Sequence, residues 1–112
     1  MEQSAFYKFL EERKQSVTDD ITALTTDGRT DDANILKAKF NVYDIAKSVY
    51  DAATKQNGDT AVTFPALFKR ITDTWRISLD AAKAHGDDRK VLIEEAKLSA
   101  VTEINTCFAE NN

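Results

Sequence analysis

The 112-residue sequence predicts an all-α fold, an antiparallel up-down four-helix bundle made of two helical hairpins. Its three glycines, Gly28, Gly58 and Gly86, each lie in a polar stretch that is typical of a turn after a helix. Between these stretches apolar residues recur at intervals of three and four, which is the periodicity of an amphipathic helix. We therefore expect one helical domain over residues 1–112.

The first helix is predicted over residues 4–26. Its apolar stripe consists of Phe6, Leu10, Val17, Ile21 and Leu24. Arg13 and Lys14 interrupt this stripe, and the segment that follows is poor in strong helix formers. Because intrinsic propensity is weak there, we expect packing against the rest of the fold to stabilise this helix.

The second helix is predicted over residues 31–56, with Thr30 or Asp31 as its N-cap. Its stripe consists of Ile35, Ala38, Val42, Ile45, Val49 and Ala52, and a second set, Leu36, Phe40, Tyr43 and Tyr50, widens the apolar arc to more than half the circumference. A corner helix of a bundle needs a narrower stripe. The second set therefore predicts either an interface with another protein or a second copy, or a central position for this helix in the fold.

The third helix is predicted over residues 64–85, with Thr63 as a cap before Phe64 and Pro65, and the fourth over residues 87–110, with Asp87 as its cap. Their stripes consist of Phe68, Ile71, Trp75, Leu79 and Ala82 in the third helix, and of Ile93, Ala96, Ala100, Ile104 and Cys107 in the fourth. The sequence leaves open whether the chain breaks or only kinks at Gly86.

Charge is distributed unevenly along the chain. The net charge of −4 divides into −4 over residues 1–32, +2 over 33–58, +2 over 60–85 and −3 over 86–112, with Asp59 between. Acidic outer helices and basic inner ones favour pairing of the first helix with the second and of the third with the fourth. The acidic balance argues against nucleic acid as a partner, and no segment is apolar enough to predict a membrane span or a secretion signal.

No motif predicts catalysis, a metal site or a cofactor. The single histidine, His85, lies at a predicted helix end and is followed by Gly86, Asp87 and Asp88, which does not suit phosphotransfer. The single cysteine, Cys107, lies on an apolar face, and one cysteine cannot form an intramolecular disulfide. We therefore expect a non-enzymatic, cytoplasmic protein.

A polar layer is the second feature of note. Arg13 and Lys97 fall within apolar stripes near the middle of their helices, and Tyr43 and Trp75 lie at the same level. Two cations beside two aromatic rings would suit a small acidic ligand. The competing interpretation is that both cations reach the surface or pair with Asp20 or Glu103, since long basic side chains cover apolar surface while their charge stays in water.

These observations predict a helical protein-interaction module that self-associates, as a homodimer, through Leu36, Phe40, Tyr43 and Tyr50. The alternative is a binder of a small acidic ligand that uses Arg13, Tyr43, Trp75 and Lys97. The partner in the first case is another protein or a second copy of this chain. Neither the composition nor the distribution of charge identifies that partner.

Overall fold

The computed structural model describes residues 3–56 and 58–110 and confirms the predicted four-helix bundle. Its elements are α1 (Gln3–Thr26), α2 (Thr30–Lys55), α3 (Thr60–Ala84) and α4 (Asp88–Glu110), and the described residues contain no strand. The short connections reverse the chain after each helix, so neighbours in sequence run antiparallel.

Two of the glycine turns have the geometry that their sequence predicts. Gly28 and Gly86 have φ angles of +76° and +67°, the left-handed conformation that glycine adopts without a steric penalty. The amide of Arg29 then donates to the carbonyl of Leu24, and that of Asp87 to the carbonyl of Ala82, which are the hydrogen bonds of a Schellman motif. The chain therefore breaks at Gly86. The turn predicted around Gly58 includes Asn57, which lies outside the described residues.

The predicted N-caps of α2 and α3 are wrong, whereas that of α4 is confirmed. The N-cap of α2 is Arg29, which makes no side-chain capping bond. Helix α3 begins four residues earlier than predicted, because the side chain of Asp59 accepts a hydrogen bond from the amide of Ala61 at 2.9 Å. Pro65 therefore lies inside the helix. At α4 the carboxylate of Asp87 accepts from the amide of Lys90 at 3.2 Å.

Helix α2 is the central element of the fold. It packs against α1, α3 and α4, whereas α1 packs mainly on α2. The predicted pairs, α1 with α2 and α3 with α4, are both in extensive contact, and α2 and α4 pack together as well. The resulting molecule is flattened and measures 45 × 33 × 21 Å. A groove between α2 and α3 and a cavity between α3 and α4 open on its surface.

An aromatic cluster dominates one end of the core. Phe6, Tyr50, Phe64 and Phe108, one from each helix, are buried, and the Phe6 ring lies 4.6, 5.3 and 5.7 Å from the rings of Tyr50, Phe64 and Phe108. At the opposite end the large apolar side chains Ile21, Leu24, Leu79 and Ile93 are only half-buried, although Ala33 and Ala82 are buried there. The aromatic cluster therefore lies at the end near Gly58, where its ring pairs contribute beyond their buried area.

Candidate functional site

The four residues predicted to form an interface divide into two buried and two half-buried side chains. Tyr43 and Tyr50 are 0% and 4% exposed inside the fold. Leu36 and Phe40 are half-buried against the core, and the ammonium of Lys14 lies over the Phe40 ring at 5.2 Å from its centre. The wide apolar arc of α2 thus follows from its central position, which buries it against three helices.

Glu103 organises a polar network in the middle of the bundle. Its carboxylate receives Arg13 Nη2 at 2.8 Å, the hydroxyl of Tyr43 at 2.7 Å and Lys39 Nζ at 3.3 Å, so that α1, α2 and α4 all contribute. Burial of Tyr43, together with its hydrogen bond to Glu103, raises the pKa of the phenol to about 12. A hydrogen bond with Tyr43 and the charge of Glu103 outweigh burial and raise the pKa of Arg13.

The residues of the predicted ligand site form two separate pairs, each with its own carboxylate. Arg13 and Tyr43 meet at Glu103, whereas Lys97 lies over the Trp75 ring at 4.4 Å and pairs with Glu94 at 3.2 Å. An anionic ligand at either place would compete with a carboxylate that is already bound. Of the two interpretations of the polar layer, the structure shows the one in which Arg13 pairs with Glu103.

Sequence reasoning missed Glu94, which is 6% exposed and pairs with Lys97. The signal was its spacing, since Glu94 and Lys97 are three residues apart and thus adjacent on one helix face. The ion pair and the cation over the indole together fix Trp75 against α4.

A groove between α2 and α3 was also missed, because it arises from how two helices cross. This α2–α3 groove has a volume of about 340 Å³ and is lined by Ser48, Val49, Ala52, Leu67, Arg70 and Ile71. Ala52 is exposed, and Ile71 retains 36% of its accessible surface. Arg70 is the one charged residue of the lining. The groove is therefore an apolar surface beside a single guanidinium.

The two helices beside the α2–α3 groove each carry a cation, Lys55 on α2 and Arg70 on α3. Lys55 lies three residues beyond Ala52 and thus on the same face of α2, and neither Lys55 nor Arg70 makes an ion pair within the described ranges. The acids in the middle of α2 are held by α1 instead. Asp44 pairs with Lys14 at 2.6 Å, and Asp51 accepts a hydrogen bond from the hydroxyl of Tyr7. The two charged side chains near the groove that make no ion pair within the described ranges are consequently both cations.

A larger cavity of about 560 Å³ opens between α3 and α4. Its walls contain the small residues Ala61, Pro65 and Ala109, and the buried side chains Val101 and Phe108 contribute to its lining. Lys69, Asp73, Arg76 and Asn105 supply polar groups, and the buried Thr72 adds a hydroxyl. This α3–α4 cavity is within the size range of small-molecule sites, roughly 300–1,000 Å³.

The remaining chemical groups offer no reactive arrangement. The part of the chain that the structure describes contains no cluster of three or more side chains able to hold a metal ion. His85 ends α3 with its Nδ1 atom 2.8 Å from the carbonyl oxygen of Ala81. Burial, and then the charge of Glu110, raises the pKa of the Cys107 thiol, which lowers its thiolate fraction.

Of the described helices, none is long and apolar enough to cross a membrane. Comparisons with protein-family models, with curated proteins and with solved structures found no match.

Proposed function

We propose that this protein is a non-enzymatic helical interaction module whose α2–α3 groove binds an acidic amphipathic helix of another protein. The observation that carries the proposal is an open apolar groove flanked by cations that have no ion-pair partner among the described residues. Amphipathic helices bind such grooves by inserting apolar residues spaced at three, four and seven positions.

The composition of the groove favours that mode of binding. Leu67 and Ile71 are four residues apart on α3, and Val49 and Ala52 are three apart on α2, so each helix presents one apolar ridge. A third helix that packs between two such ridges buries its own stripe against both. Burial of each large apolar side chain of the partner contributes roughly 1.5–3 kcal/mol towards binding, which several inserted residues together set against the cost of association.

Charge selects the partner. Arg70 lines the groove on α3, Lys55 lies on α2 three residues beyond the lining residue Ala52, and the acids Asp44 and Asp51 are engaged by α1. A partner helix with Asp or Glu beside its apolar stripe would pair with both cations. A second copy in a two-fold symmetric dimer would place the same positive face against itself, which is unfavourable. We therefore propose an acidic partner rather than a second copy.

Binding of a synthetic peptide tests this proposal. A helical peptide of about 15 residues, built from Leu, Glu and Ala with leucines on one face, is titrated into ¹⁵N-labelled protein. We expect amide shifts at Ser48–Ala52 and Leu67–Ile71. Ile71→Glu and Ala52→Glu should each weaken binding about tenfold or more, because each places a carboxylate in the groove. Leu92→Glu, at a 53% exposed leucine on α4, is the matched control and should bind as the wild type does.

The self-association predicted from the sequence is an outcome of the same experiment. Light scattering across concentration should give the mass of a monomer, in which no second copy covers the groove. A dimer that Ile71→Glu dissociates would instead identify a second copy as the occupant and refute the acidic partner. Shifts confined to other surfaces, or equal weakening by Leu92→Glu, would refute the groove as the site. We keep the cytoplasm as the proposed location, because the single cysteine of the sequence cannot form an intramolecular disulfide.

A further inference from the structure

We infer that the α3–α4 cavity is a second, independent site that binds a small monoanionic ligand with an apolar body, such as a medium-chain or aromatic carboxylate. The cavity faces away from the α2–α3 groove, on the other side of α3. It combines an apolar wall with one cation that lacks an ion-pair partner within the described residues.

Short side chains keep the cavity open. On α3 the core positions Phe64 and Phe68 fill the space towards α2 and α4, whereas Ala61 and Pro65, on the adjacent face, are too small to reach across. On α4 the facing position is Ala109. Val101 and Phe108, which are 2% and 5% exposed, close the inner wall. An apolar ligand body of several carbons fits against this wall, and its binding would remove the wall from water.

The polar groups define the charge of the ligand. Lys69 Nζ lies 2.6 Å from Asp73, so those two side chains neutralise each other within the cavity wall. Arg76 lies three residues beyond Asp73 and, within the described ranges, makes no ion pair, which leaves one net positive charge. A guanidinium binds a carboxylate with two parallel hydrogen bonds, and Asn105 can donate a further one.

The same arrangement disfavours other classes of ligand. A dianion such as a phosphate ester would meet the carboxylate of Asp73 and find one unpaired cation instead of several. A neutral amphiphile would leave Arg76 without a partner. Thr72, whose hydroxyl makes one long hydrogen bond of 3.4 Å to the carbonyl of Lys69, offers a further polar contact inside the cavity. These features select a single carboxylate attached to an apolar body.

Titration of ¹⁵N-labelled protein with sodium octanoate tests the inference, and octanamide serves as the uncharged ligand of the same shape. We expect octanoate to shift the amides of Val101, Asn105, Phe108 and Ala109, and octanamide to bind at least tenfold more weakly. Arg76→Met should weaken octanoate binding about tenfold. The matched control Arg70→Met, on the opposite face of α3, should leave it unchanged.

A second variant tests the cavity itself. Ala109→Phe fills the space with a ring and should abolish octanoate shifts, whereas Ala109→Ser should preserve them. Circular dichroism establishes that each variant remains helical. Equal binding of octanoate and octanamide, retention of binding in Arg76→Met, or shifts confined to Leu67, Arg70 and Ile71 would each overturn the inference, as would the absence of shifts at millimolar octanoate. None of these results depends on whether the α2–α3 groove binds an acidic helix.

Discussion

The Tyr43→Phe variant removes a hydroxyl from the centre of the Glu103 network and should change how stability depends on pH. Tyr43 is fully buried, and its pKa is raised from 10.0 to about 12 in the folded protein. Between these values the unfolded chain loses its proton while the folded protein keeps it, so stability is complete below pH 10 and falls as the pH rises towards 12. Two pKa units correspond to about 2–3 kcal/mol.

At neutral pH the variant loses a hydrogen bond to a carboxylate that Arg13 and Lys39 still contact. Because Glu103 is 31% exposed and can also be hydrated, we expect a loss of about 1.5 kcal/mol, the lower end of the range for bonds to charged groups. The wild type should thus be more stable at pH 7 but should lose this advantage above about pH 11. The two stability curves then converge and cross.

Urea unfolding followed by the fluorescence of Trp75, at intervals from pH 7 to 12, measures both effects. Burial also raises the pKa of Tyr50, but Tyr50 is present in both proteins and its contribution cancels in the difference. A stability difference that stays constant from pH 9 to 12 would refute the raised pKa of Tyr43. A variant as stable as the wild type at pH 7 would refute the contribution of the hydrogen bond between Tyr43 and Glu103.

Two further predictions concern the fold. Gly86→Ala should lower the stability by about 1 kcal/mol, or Tm by about 4 °C; since φ is +67° and an added Cβ would meet no atom within 4 Å, the penalty is in the backbone alone. Gly86→Asn should recover part of this loss. Calorimetry that finds no loss of stability for Gly86→Ala would contradict the prediction. Phe64→Ala should lower the free energy of unfolding in urea by about 3–5 kcal/mol. Ile77→Ala, at a 69% exposed side chain, should change it by less than about 0.5 kcal/mol. Similar losses for both variants would contradict the assignment of the core.

The number, order and direction of the helices could be predicted because they depend on local signals. Glycines in polar stretches gave the turns, and apolar spacing gave the stripes. The start of α3 could not be placed, because Asp59 and Thr63 are both acceptable caps and a proline is tolerated near a helix start. Which cap is used depends on how far the helix extends beside α4, and this is a tertiary effect.

The candidate sites could be predicted only in part. The sequence shows on which face of α2 Tyr43 and Tyr50 lie, but it does not show which helices pack against that face. Both residues were therefore expected at an interface. Pairing of Arg13 with Glu103 was one of two alternatives, and the structure decides it with a distance of 2.8 Å. The grooves beside α3 result from the crossing of helices and the shortness of facing side chains. Neither is visible in the periodicity of one helix.

Charge reversal at the α2–α3 groove tests the proposed function most directly. In the variant Lys55→Glu/Arg70→Glu, two attractions to an acidic peptide become two repulsions, which amounts to about 1–3 kcal/mol, or roughly tenfold or more in affinity. We measure binding of the Leu/Glu/Ala peptide and of a Leu/Lys/Ala peptide with the same pattern, at low salt, to both proteins. The wild type should prefer the acidic peptide and the variant the basic one. An unchanged preference would contradict the proposal that this groove binds an acidic helix.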